Sequence, residues 1–456
     1  MNTASPDPER SPAARRLSSS LTAFFATRLK RGSRLCVALS GGRDSVVLLH
    51  LLSRLSHAGA LPCTLFAVHV HHGLSPRADA WAAFCASFCA RCGVPFECVQ
   101  VTVPRDQGEG LEAAARRQRH AVFAGRAADW LVLAHHRADQ AETVLLRLLR
   151  GTGVAGVAAM RSERAQPQGP LLVRPLLDVP RQVIETYAAE QGLSWVEDES
   201  NDDHHFRRNF LRHEVLPRLE EKFPGAEQSL VRAAAHFAES TLLLDELAAI
   251  DCAASCSPSG RLRLAEVNAL SPARARNLLR HVWLKAGFRA PDTRWIDEAL
   301  KQLAHADALS EICVSTVDGA LHVYRGELYL IAPASPVPAE PIPWAGEAEL
   351  PWLGGTVRFV SASGAGIACR RLVDGPICLR SRQGGEHLQP AVNRPRRSLR
   401  NLFQEQGIPP WQRNRLPFLW CQEQLVWVAG LGVDAAFACA ADEDGVVPVW
   451  TPGGHG

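Results

Sequence analysis

The sequence predicts an α/β fold for the first part of the chain, followed by a helical domain and a small α+β domain. From Arg34 to about Arg150, short β-rich runs alternate with longer stretches of helical spacing, which is typical of a parallel sheet wound with helices. Residues 216–307 are rich in Ala and Leu and carry few strand signals. Beyond a proline-rich segment, short β-like runs surround one helical stretch.

The elements follow in chain order. Arg34–Leu39 is predicted as a buried strand, and after a Ser-Gly-Gly turn the apolar spacing from Val46 favours a helix. We expect further strands at Thr64–Val70, Phe96–Val103 and Trp130–Ala134, a helix at Gly110–Ala128, and a sheet of about five strands. The later predictions are helices within Glu227–Asp251 and Ala273–Ala304, strands at Val357–Val360 and Leu425–Val428, and a helix at Ser398–Gln406.

The chain has 456 residues, more than one hydrophobic core usually organises, so several domains are expected. We predict a disordered lead-in at 1–16, an α/β domain at 17–215, a helical domain at 216–331, a proline-rich connector at 332–351 and a small basic domain at 352–450.

Composition excludes several classes of protein. No apolar run approaches the roughly 18 to 20 residues that cross a bilayer, so no membrane span is expected. Met1–Arg16 lacks the apolar core of a secretory signal. The 13 cysteines are odd in number and scattered, which favours reduced thiols in a cytosol over a disulfide framework.

The strongest local signal is Ser40-Gly41-Gly42-Arg43-Asp44-Ser45, where the first strand ends and a helix begins. Two glycines let backbone amides approach phosphate oxygens, and the helix start adds a positive dipole. The serine hydroxyls donate further hydrogen bonds, and Asp44 can hold a magnesium ion against a pyrophosphate. No lysine follows, which excludes the mononucleotide P-loop. The segment looks like the loop of enzymes that split ATP into AMP and pyrophosphate; the alternative is a capped glycine turn.

A second polar cluster, His69-Val70-His71-His72-Gly73-Leu74, ends the next strand, at the edge where open α/β sheets bind ligands. Three histidines suggest zinc, but no cysteine or carboxylate spacing accompanies them. We therefore expect polar contacts to the nucleotide, with His69 as the binding residue.

Two more segments carry charged side chains. In Glu112–Arg119, one helix face holds Glu112, Arg116 and Arg119, so a surface ion-pair stripe is the alternative to a functional role. His135–Thr143 directly follows a strand, which again places its His and Asp side chains at the carboxyl edge of the sheet.

In this order, the segments resemble the tRNA(Ile)-lysidine synthetase family, and the resemblance covers nearly the whole chain. The loop alone is shared with other ATP pyrophosphatases, whereas the ordered series is more specific. Two positions depart from the family pattern: Ala138 stands where a second aspartate is usual, and His120 where a tyrosine is usual. The matching segments are Ser40–Ser45, His69–Leu74, Glu112–Arg119, His135–Thr143, Arg150–Gly153, Arg174–Leu176, Asp198–Asn201, Arg208–Arg212 and Pro409–Arg413.

The resemblance implies a PP-loop fold of the adenine nucleotide alpha hydrolase type and a cytoplasmic ligase that uses ATP and Mg²⁺. Its substrates would be L-lysine and an isoleucine tRNA with a CAU anticodon. The wobble cytidine would first be adenylated at its C2 oxygen, releasing pyrophosphate, and the ε-amine of lysine would then displace AMP. The lysidine product would change codon specificity from AUG to AUA.

The resemblance also assigns roles to residues. Asp44, Asp139 and Arg116 would be catalytic, with Asp44 and Asp139 binding Mg²⁺ and Arg116 stabilising the adenylated intermediate or the incoming tRNA. The base that deprotonates lysine is left open among Asp139, Glu142 and His136. The expected ATP-binding residues are Ser40, Gly41, Gly42, Arg43, Asp44, Ser45 and His69.

Arginine-rich segments predict contact with tRNA. Between Arg370 and Arg400, eight arginines stand against two acids, a local excess of +6. A second basic cluster lies where the first two domains meet. An arginine-rich solvated surface is the alternative, and a homodimer is left open. The candidates are Arg207, Arg208, Arg212, Arg380, Arg382, Arg396, Arg397, Arg400 and Arg413.

Three rival functions are weighed. Cys85, Cys89 and Cys92 would suit a tRNA thiolase with sulfur or iron–sulfur chemistry, whereas chance burial of small thiols needs no function. A small-molecule amidotransferase-type synthetase would not need the basic third domain. A non-catalytic tRNA-binding protein would not need an intact Ser40–Ser45 loop.

Overall fold

The computed structural model describes residues 11–104, 111–166, 168–197, 207–307, 312–333, 340–372 and 375–452; the side chains of Leu111 and Glu112 are not described. The chain divides into two compact units, Met1–Leu247 and Ala248–Gly456. The unit boundary falls inside a long helix, whereas the sequence predicts a domain boundary at 216. No helix among the described residues has the length and apolar character needed to span a membrane.

The first unit is built on a six-stranded sheet in the order β3-β2-β1-β4-β6-β5. All neighbours are parallel except β5 and β6. The wound parallel sheet predicted from the sequence is thus confirmed, with two additional short strands. The strands are β1 (Ser33–Ala38), β2 (Cys63–His71), β3 (Phe96–Gln100), β4 (Trp130–Val132), β5 (Glu163–Arg164) and β6 (Leu171–Val173).

Helices cover this sheet, and a π-helical turn at Leu211–Val215 joins the last two. Their bounds are α1 (Pro12–Ala26), α2 (Arg43–His57), α3 (Ala78–Arg91), α4 (Leu111–Ala124), α5 (Arg137–Leu148), α6 (Val154–Val157), α7 (Arg181–Glu190), α8 (Arg207–Phe210) and α9 (Leu216–Lys222).

Helix α1 corrects the predicted disordered lead-in at 1–16, because its residues from Pro12 onward are helical. Ser11 caps the helix by accepting a hydrogen bond from the Ala14 amide at 2.9 Å, and proline suits the first helical position. Leu17, Leu21 and Phe25 repeat every four residues and are buried in the core of the first unit. Residues 1–10 lie outside the described residues.

Helix α10 (Ala226–Ser255) leads into the second unit. Its first part packs helices against an antiparallel three-stranded sheet, in the order β7-β8-β9. The sequence predicts the helices but not this sheet, which lies within 216–331. The elements are α11 (Leu264–Ala269), α12 (Pro272–Lys285), α13 (Thr293–Ala304), β7 (Ile312–Ser315), β8 (Ala320–Tyr324) and β9 (Glu327–Ile331).

The remainder of the second unit combines antiparallel sheets with two short helices, as the α+β prediction expects. Its larger sheets have the orders β10-β14-β17-β18-β19 and β11-β12-β20-β13, and β15 pairs with β16. The elements are β10 (Ile342–Trp344), β11 (Glu349–Trp352), β12 (Gly355–Ser363), β13 (Ile367–Ala368), β14 (Ile377–Arg380), β15 (His387–Leu388), β16 (Arg397–Ser398), α14 (Leu399–Glu405), α15 (Pro410–Arg413), β17 (Phe418–Cys421), β18 (Gln424–Val428), β19 (Gly432–Val433) and β20 (Asp444–Thr451).

Two strands overlap the proline-rich segment that the sequence predicts to be a connector at 332–351. β10 contains Pro343 and β11 contains Pro351. Both are edge strands of their sheets, and an edge strand tolerates a residue without an N–H group on its unpaired side. Residues 334–339 of the segment lie outside the described residues.

Candidate active site

The candidate active site lies where the strand order of the first sheet reverses. The chain continues from β1 to β2 on one side and later returns to β4 on the other side of β1. β1 and β4 pair in parallel, with Val37 opposite Val132, so the segments that follow these strands begin side by side. In open α/β sheets this reversal point forms the ligand-binding crevice. The two segments are the glycine loop and the start of α5.

The two central glycines of the loop have different roles. Gly41 has φ of +90°, and a Cβ there would lie 2.7 Å from Cγ2 of Val196. Gly42 is the N-cap of α2. Because glycine has no side chain to accept hydrogen bonds from the first amides of the helix, those amides are available to an anion. This geometry suits a phosphate group.

The two serines of the loop have different surroundings. Ser45 is buried, and its hydroxyl donates to the Gly42 carbonyl at 2.8 Å. Ser40 is exposed; its Oγ accepts from the Gly42 amide at 3.3 Å and lies 3.1 Å from Oγ of Ser45. Ser45 therefore shapes the loop from within, and Ser40 is the serine within reach of a ligand.

His69 supports the base of the loop. It is buried, and its Nδ1 lies 2.9 Å from the Leu39 carbonyl, directly before Ser40. Burial lowers the pKa of His69, so at pH 7 the ring is neutral and Nδ1–H donates to Leu39. The sequence predicts a nucleotide contact here; the structure gives His69 a hydrogen bond to the backbone that holds the loop.

The side chain of Arg43 contacts α7, away from the amides that would bind a phosphate. Its Nη1 lies 2.9 Å from Oε1 of Glu185, and its Nε is 3.6 Å from Oδ1 of Asp44. The guanidinium carbon lies 5.8 Å from the centre of the Trp195 ring. Contact between Arg43 and ATP stays a prediction, and it would require Arg43 to exchange or share its present partners.

Asp44 and Asp139 meet at one histidine. Nε2 of His136 lies 3.6 Å from Oδ2 of each aspartate. Burial favours the neutral acids, but His136 and nearby arginines outweigh it: the pKa of Asp44 falls below its usual range, and that of Asp139 falls to about 2. Burial likewise opposes a charged His136, yet Asp44 and Asp139 raise its pKa. The two predicted metal ligands thus lie side by side, in ionised form.

Behind Asp139 lies an ion cluster that the sequence does not predict. Glu142 has 0% exposure and accepts from Nε of Arg208 at 2.7 Å and from Nε of Arg212 at 2.6 Å. Both arginines also donate to Oδ1 of Asp139, at 2.9 and 3.2 Å. His136, Asp139 and Glu142 recur every three residues, a spacing that puts them on one helix face and signals this cluster. The cluster fixes the α8–π turn segment against α5.

The acidic groups can be tested for their fit to Mg²⁺. Oδ1 of Asp44 is buried and, among the described residues, has no hydrogen-bond partner, as expected of an atom that coordinates a metal. Asp139 differs, because Oδ1 accepts from two arginines and Oδ2 from the His136 amide at 3.0 Å. The described part of the chain contains no group of three or more His, Cys, Asp or Glu that could hold a metal. These residues fit an ion coordinated by Asp44 and by phosphate and water oxygens.

The surroundings of Arg116 are strongly basic. Arg116 is exposed on α4. Burial, together with Arg116 and other arginines, lowers the pKa of His120 to about 4. Burial and neighbouring arginines also lower the pKa of His135 to about 3, against the opposite effect of nearby Asp139, and Arg174 donates to Nδ1 of His135 at 3.3 Å. Both histidines are neutral at pH 7, so guanidinium groups carry the positive charge here.

Most of the predicted tRNA-binding arginines in the second unit have partners within the protein. Arg396 donates to both oxygens of buried Asp434, at 3.0 and 2.9 Å. Arg397 pairs with Glu405 at 2.6 Å and Arg382 with Glu386 at 3.4 Å. These pairs hold the terminal domain together, which the local charge excess could not reveal.

Arg380, Arg400 and Arg413 complete the set. Arg413 is buried and donates to the Ile408 carbonyl at 2.9 Å. Arg380 lies 3.9 Å above the ring of Trp420 and is largely buried. Arg400 is exposed on α14, and no carboxylate of the described residues pairs with it. At the other basic cluster, Arg207 is likewise exposed; the motif Asp198–Asn201 and His204 and His205 lie outside the described residues.

The three cysteines that would suit a tRNA thiolase are held in the protonated, unreactive thiol form. Burial raises the pKa of both Cys85 and Cys89 to about 12, and it also raises the pKa of Cys92. A sulfur-transfer nucleophile or a cluster ligand needs the thiolate form. Cys85 and Cys89 instead belong to the hydrophobic core of the first unit.

Comparison with known proteins identifies the parts of the chain. Residues 13–219 match the PP-loop domain family, residues 262–329 the TilS substrate binding domain and residues 377–450 the TilS substrate C-terminal domain. The match with a U34-tRNA thiolase structure from Methanococcus maripaludis covers 50% of this chain and 80% of the thiolase chain, at 19% identity and a TM-score of 0.43.

Relatives match over almost the full length. The chain is 43% identical to a tRNA(Ile)-lysidine synthase of Nitrosomonas europaea, with 93% of both chains covered. It is 46% identical to a tRNA(Ile)-lysidine synthase of Azoarcus sp., with 94% of both chains covered. With the PP-loop fold, the glycine loop and the paired aspartates, these matches show that the chain belongs to the tRNA(Ile)-lysidine synthase family.

Proposed function

We propose that this protein ligates L-lysine to C2 of the wobble cytidine, at position 34, of the isoleucine tRNA with a CAU anticodon, converting ATP to AMP and pyrophosphate. The observation that carries the proposal is the convergence of Asp44, His136 and Asp139 beside the amides that open α2. A phosphate-binding helix start next to ionised carboxylates suits the transfer of an adenylyl group. The names of the relatives supply the tRNA and the product.

In the first step, the C2 oxygen of cytidine attacks the α-phosphorus of ATP, and the bond to the leaving pyrophosphate breaks. The Gly41–Gly42 turn and the Ser40 hydroxyl bind phosphate oxygens. Asp44 would hold Mg²⁺. Asp139 would join it if Arg208 or Arg212 released the Asp139 carboxylate oxygen. The ion would neutralise charge on the pyrophosphate. Arg116 would stabilise the adenylated tRNA or the incoming strand. Adenylation converts a poor leaving oxygen into a good one.

In the second step, the ε-amine of lysine attacks C2, AMP departs with its bonding electrons, and the nitrogen loses a proton. The amine must be neutral to attack, so a nearby group has to accept that proton. Asp139, Glu142 and His136 remain the candidates, and all three lie at the start of α5 or directly before it. Both oxygens of Glu142 already accept from arginines, so its first role is to position Arg208 and Arg212.

The second unit would bind the body of the tRNA, and exposed Arg400 is the strongest candidate for a phosphate contact there. Arg207 would play the same part beside the active site. We place the protein in the cytoplasm, where ATP and tRNA are present and thiols stay reduced. A homodimer remains part of the proposal and is testable by sedimentation velocity.

The test measures incorporation of radiolabelled lysine into an unmodified isoleucine tRNA transcript, with ATP and magnesium, by the purified full chain. We expect transfer by the wild type and a loss of about 10³-fold in Asp44→Ala, because the leaving pyrophosphate loses its metal ligand. The matched control is Asp442→Ala, which removes an exposed aspartate of the second unit. Absence of lysine transfer by folded wild-type protein would overturn the proposal.

The thiolase alternative has its own test. A double variant Cys89→Ala and Cys92→Ala should keep lysine transfer within about twofold of wild type, because neither protonated thiol takes part in the reaction. Transfer of sulfur to tRNA that is lost in this variant would instead favour the thiolase.

A further inference from the structure

Phe210 is an exposed aromatic residue beside the active site. Its side chain is 48% exposed, at the end of α8. Single exposed apolar side chains are common on protein surfaces, so exposure alone has no functional meaning. The position of Phe210 is informative. It lies two residues from Arg208 on one side and two from Arg212 on the other, and both arginines bind Asp139 and Glu142.

The backbone around Phe210 is held in place by these ion pairs. Arg208 and Arg212 anchor the segment to α5 through four contacts of 2.6 to 3.2 Å. Two residues along a helix correspond to a rise of about 3 Å, so Phe210 is fixed close to both anchors. A π-helical turn, a feature frequent at functional sites, begins at the next residue. The backbone that carries the ring is therefore fixed beside the site, while the ring projects away from the carboxylates, because residues two apart on a helix lie roughly 200° apart around its axis.

The outer face of this segment combines aromatic and cationic groups. Arg207 is exposed three residues before Phe210, and residues three apart lie on the same helix face. Proteins bind unpaired RNA by stacking bases on aromatic rings and by placing cations along the phosphates. Phe210 and Arg207 supply one group of each kind, while Arg208 and Arg212 point to the carboxylates.

We propose that Phe210 stacks on a nucleobase next to the target cytidine and so holds the anticodon loop at the active site. The identity of the target rests on the proposed function, whereas the stacking contact rests on the geometry of α8. Stacking holds the RNA in the ground state and the transition state alike, so its loss should raise the KM for tRNA and leave kcat nearly unchanged.

The experiment compares Phe210→Ala, Phe210→Leu and Phe210→Trp with wild type. Binding of a fluorescent anticodon stem-loop RNA is measured by anisotropy, and lysine transfer gives KM for tRNA, KM for ATP and kcat. We expect Phe210→Ala to weaken RNA binding about tenfold, Phe210→Leu to restore only part of it and Phe210→Trp to bind as tightly as wild type. The matched control is Phe223→Ala at the end of α9, where the side chain is 66% exposed; it should leave RNA binding unchanged.

Several outcomes would overturn the inference: unchanged RNA binding in Phe210→Ala, full restoration by leucine, an equal loss in Phe223→Ala, or a raised KM for ATP in place of that for tRNA. Anisotropy needs no chemical step. Wild-type protein that binds the stem-loop but transfers no lysine would therefore refute the proposed function alone, and the comparison of Phe210 variants would still decide the stacking contact.

Discussion

Two basic clusters were predicted from the sequence to bind tRNA, and the structure uses their arginines in different ways. In the first unit, Arg208 and Arg212 converge on the same two carboxylates at the edge of the active site. In the second unit, Arg396 and Arg397 each bind a separate acid of their own domain. A count of charges shows only that both clusters are basic, so the partner of each guanidinium is what distinguishes an arginine that builds the site from one that stabilises the fold.

The largest effect is expected from Glu142→Gln, which tests whether the first cluster is a single structural unit. The change leaves Arg208 and Arg212 with Asp139 as their one remaining carboxylate partner in the cluster, and breaking a buried ion pair costs about 3 kcal/mol or more. We expect a lower unfolding midpoint in urea together with a strong loss of lysine transfer. A variant as stable as wild type would show that the arginines do not depend on Glu142.

Arg396→Ala tests the second cluster in the same way. Asp434 has 0% exposure and would keep only its bonds from the amides of Gln389 and Ala436. Loss of a charged hydrogen-bond donor should reduce stability by about 2 kcal/mol, while the affinity of the folded protein for tRNA should change little. Urea unfolding and tRNA binding by anisotropy measure the two quantities; weaker tRNA binding at unchanged stability would reassign Arg396 to the RNA surface.

The sequence could predict which residues follow the strands, but it could not predict which residues form ion pairs across long stretches of chain. Asp44 and Asp139 follow β1 and β4 of a parallel sheet, and the carboxyl ends of parallel strands share one edge, so the predicted fold class was enough to place both residues there. The pairing of β1 with β4 was not predicted. The contact between Arg212 and Glu142 spans 70 residues, and Arg212 lies in a π-helical turn, for which the sequence carries no simple periodic signal.

Short elements were missed for another reason. β5 and β6 have two and three residues, too few to produce an alternating pattern. Helix α1 could have been predicted from the sequence, because the Ser11–Pro12 cap and the spacing of Leu17, Leu21 and Phe25 are helix signals. The charged and proline-rich start of the chain outweighed them in the prediction.

A smaller effect, about tenfold on lysine transfer, is expected from Arg212→Lys. Lysine keeps the charge but cannot place two donors on Glu142 while a third contacts Asp139, as the guanidinium of Arg212 does. Stability should fall less than in Glu142→Gln, since lysine still places a positive charge opposite Glu142 and Asp139. Kinetics at saturating tRNA measure the loss; full activity would show that charge alone, without the planar geometry, organises the site.

The smallest effect is expected from Arg400→Ala, which completes the comparison with Arg396. Arg400 is exposed, so its removal should not alter the unfolding midpoint. If it contacts a tRNA phosphate, affinity should fall about threefold and the slope of log affinity against log salt should decrease by about 1. Anisotropy titrations at several salt concentrations, with Arg396→Ala in parallel, separate the two roles. An unchanged salt slope in Arg400→Ala would remove Arg400 from the RNA-binding surface and leave the second unit without its strongest candidate contact.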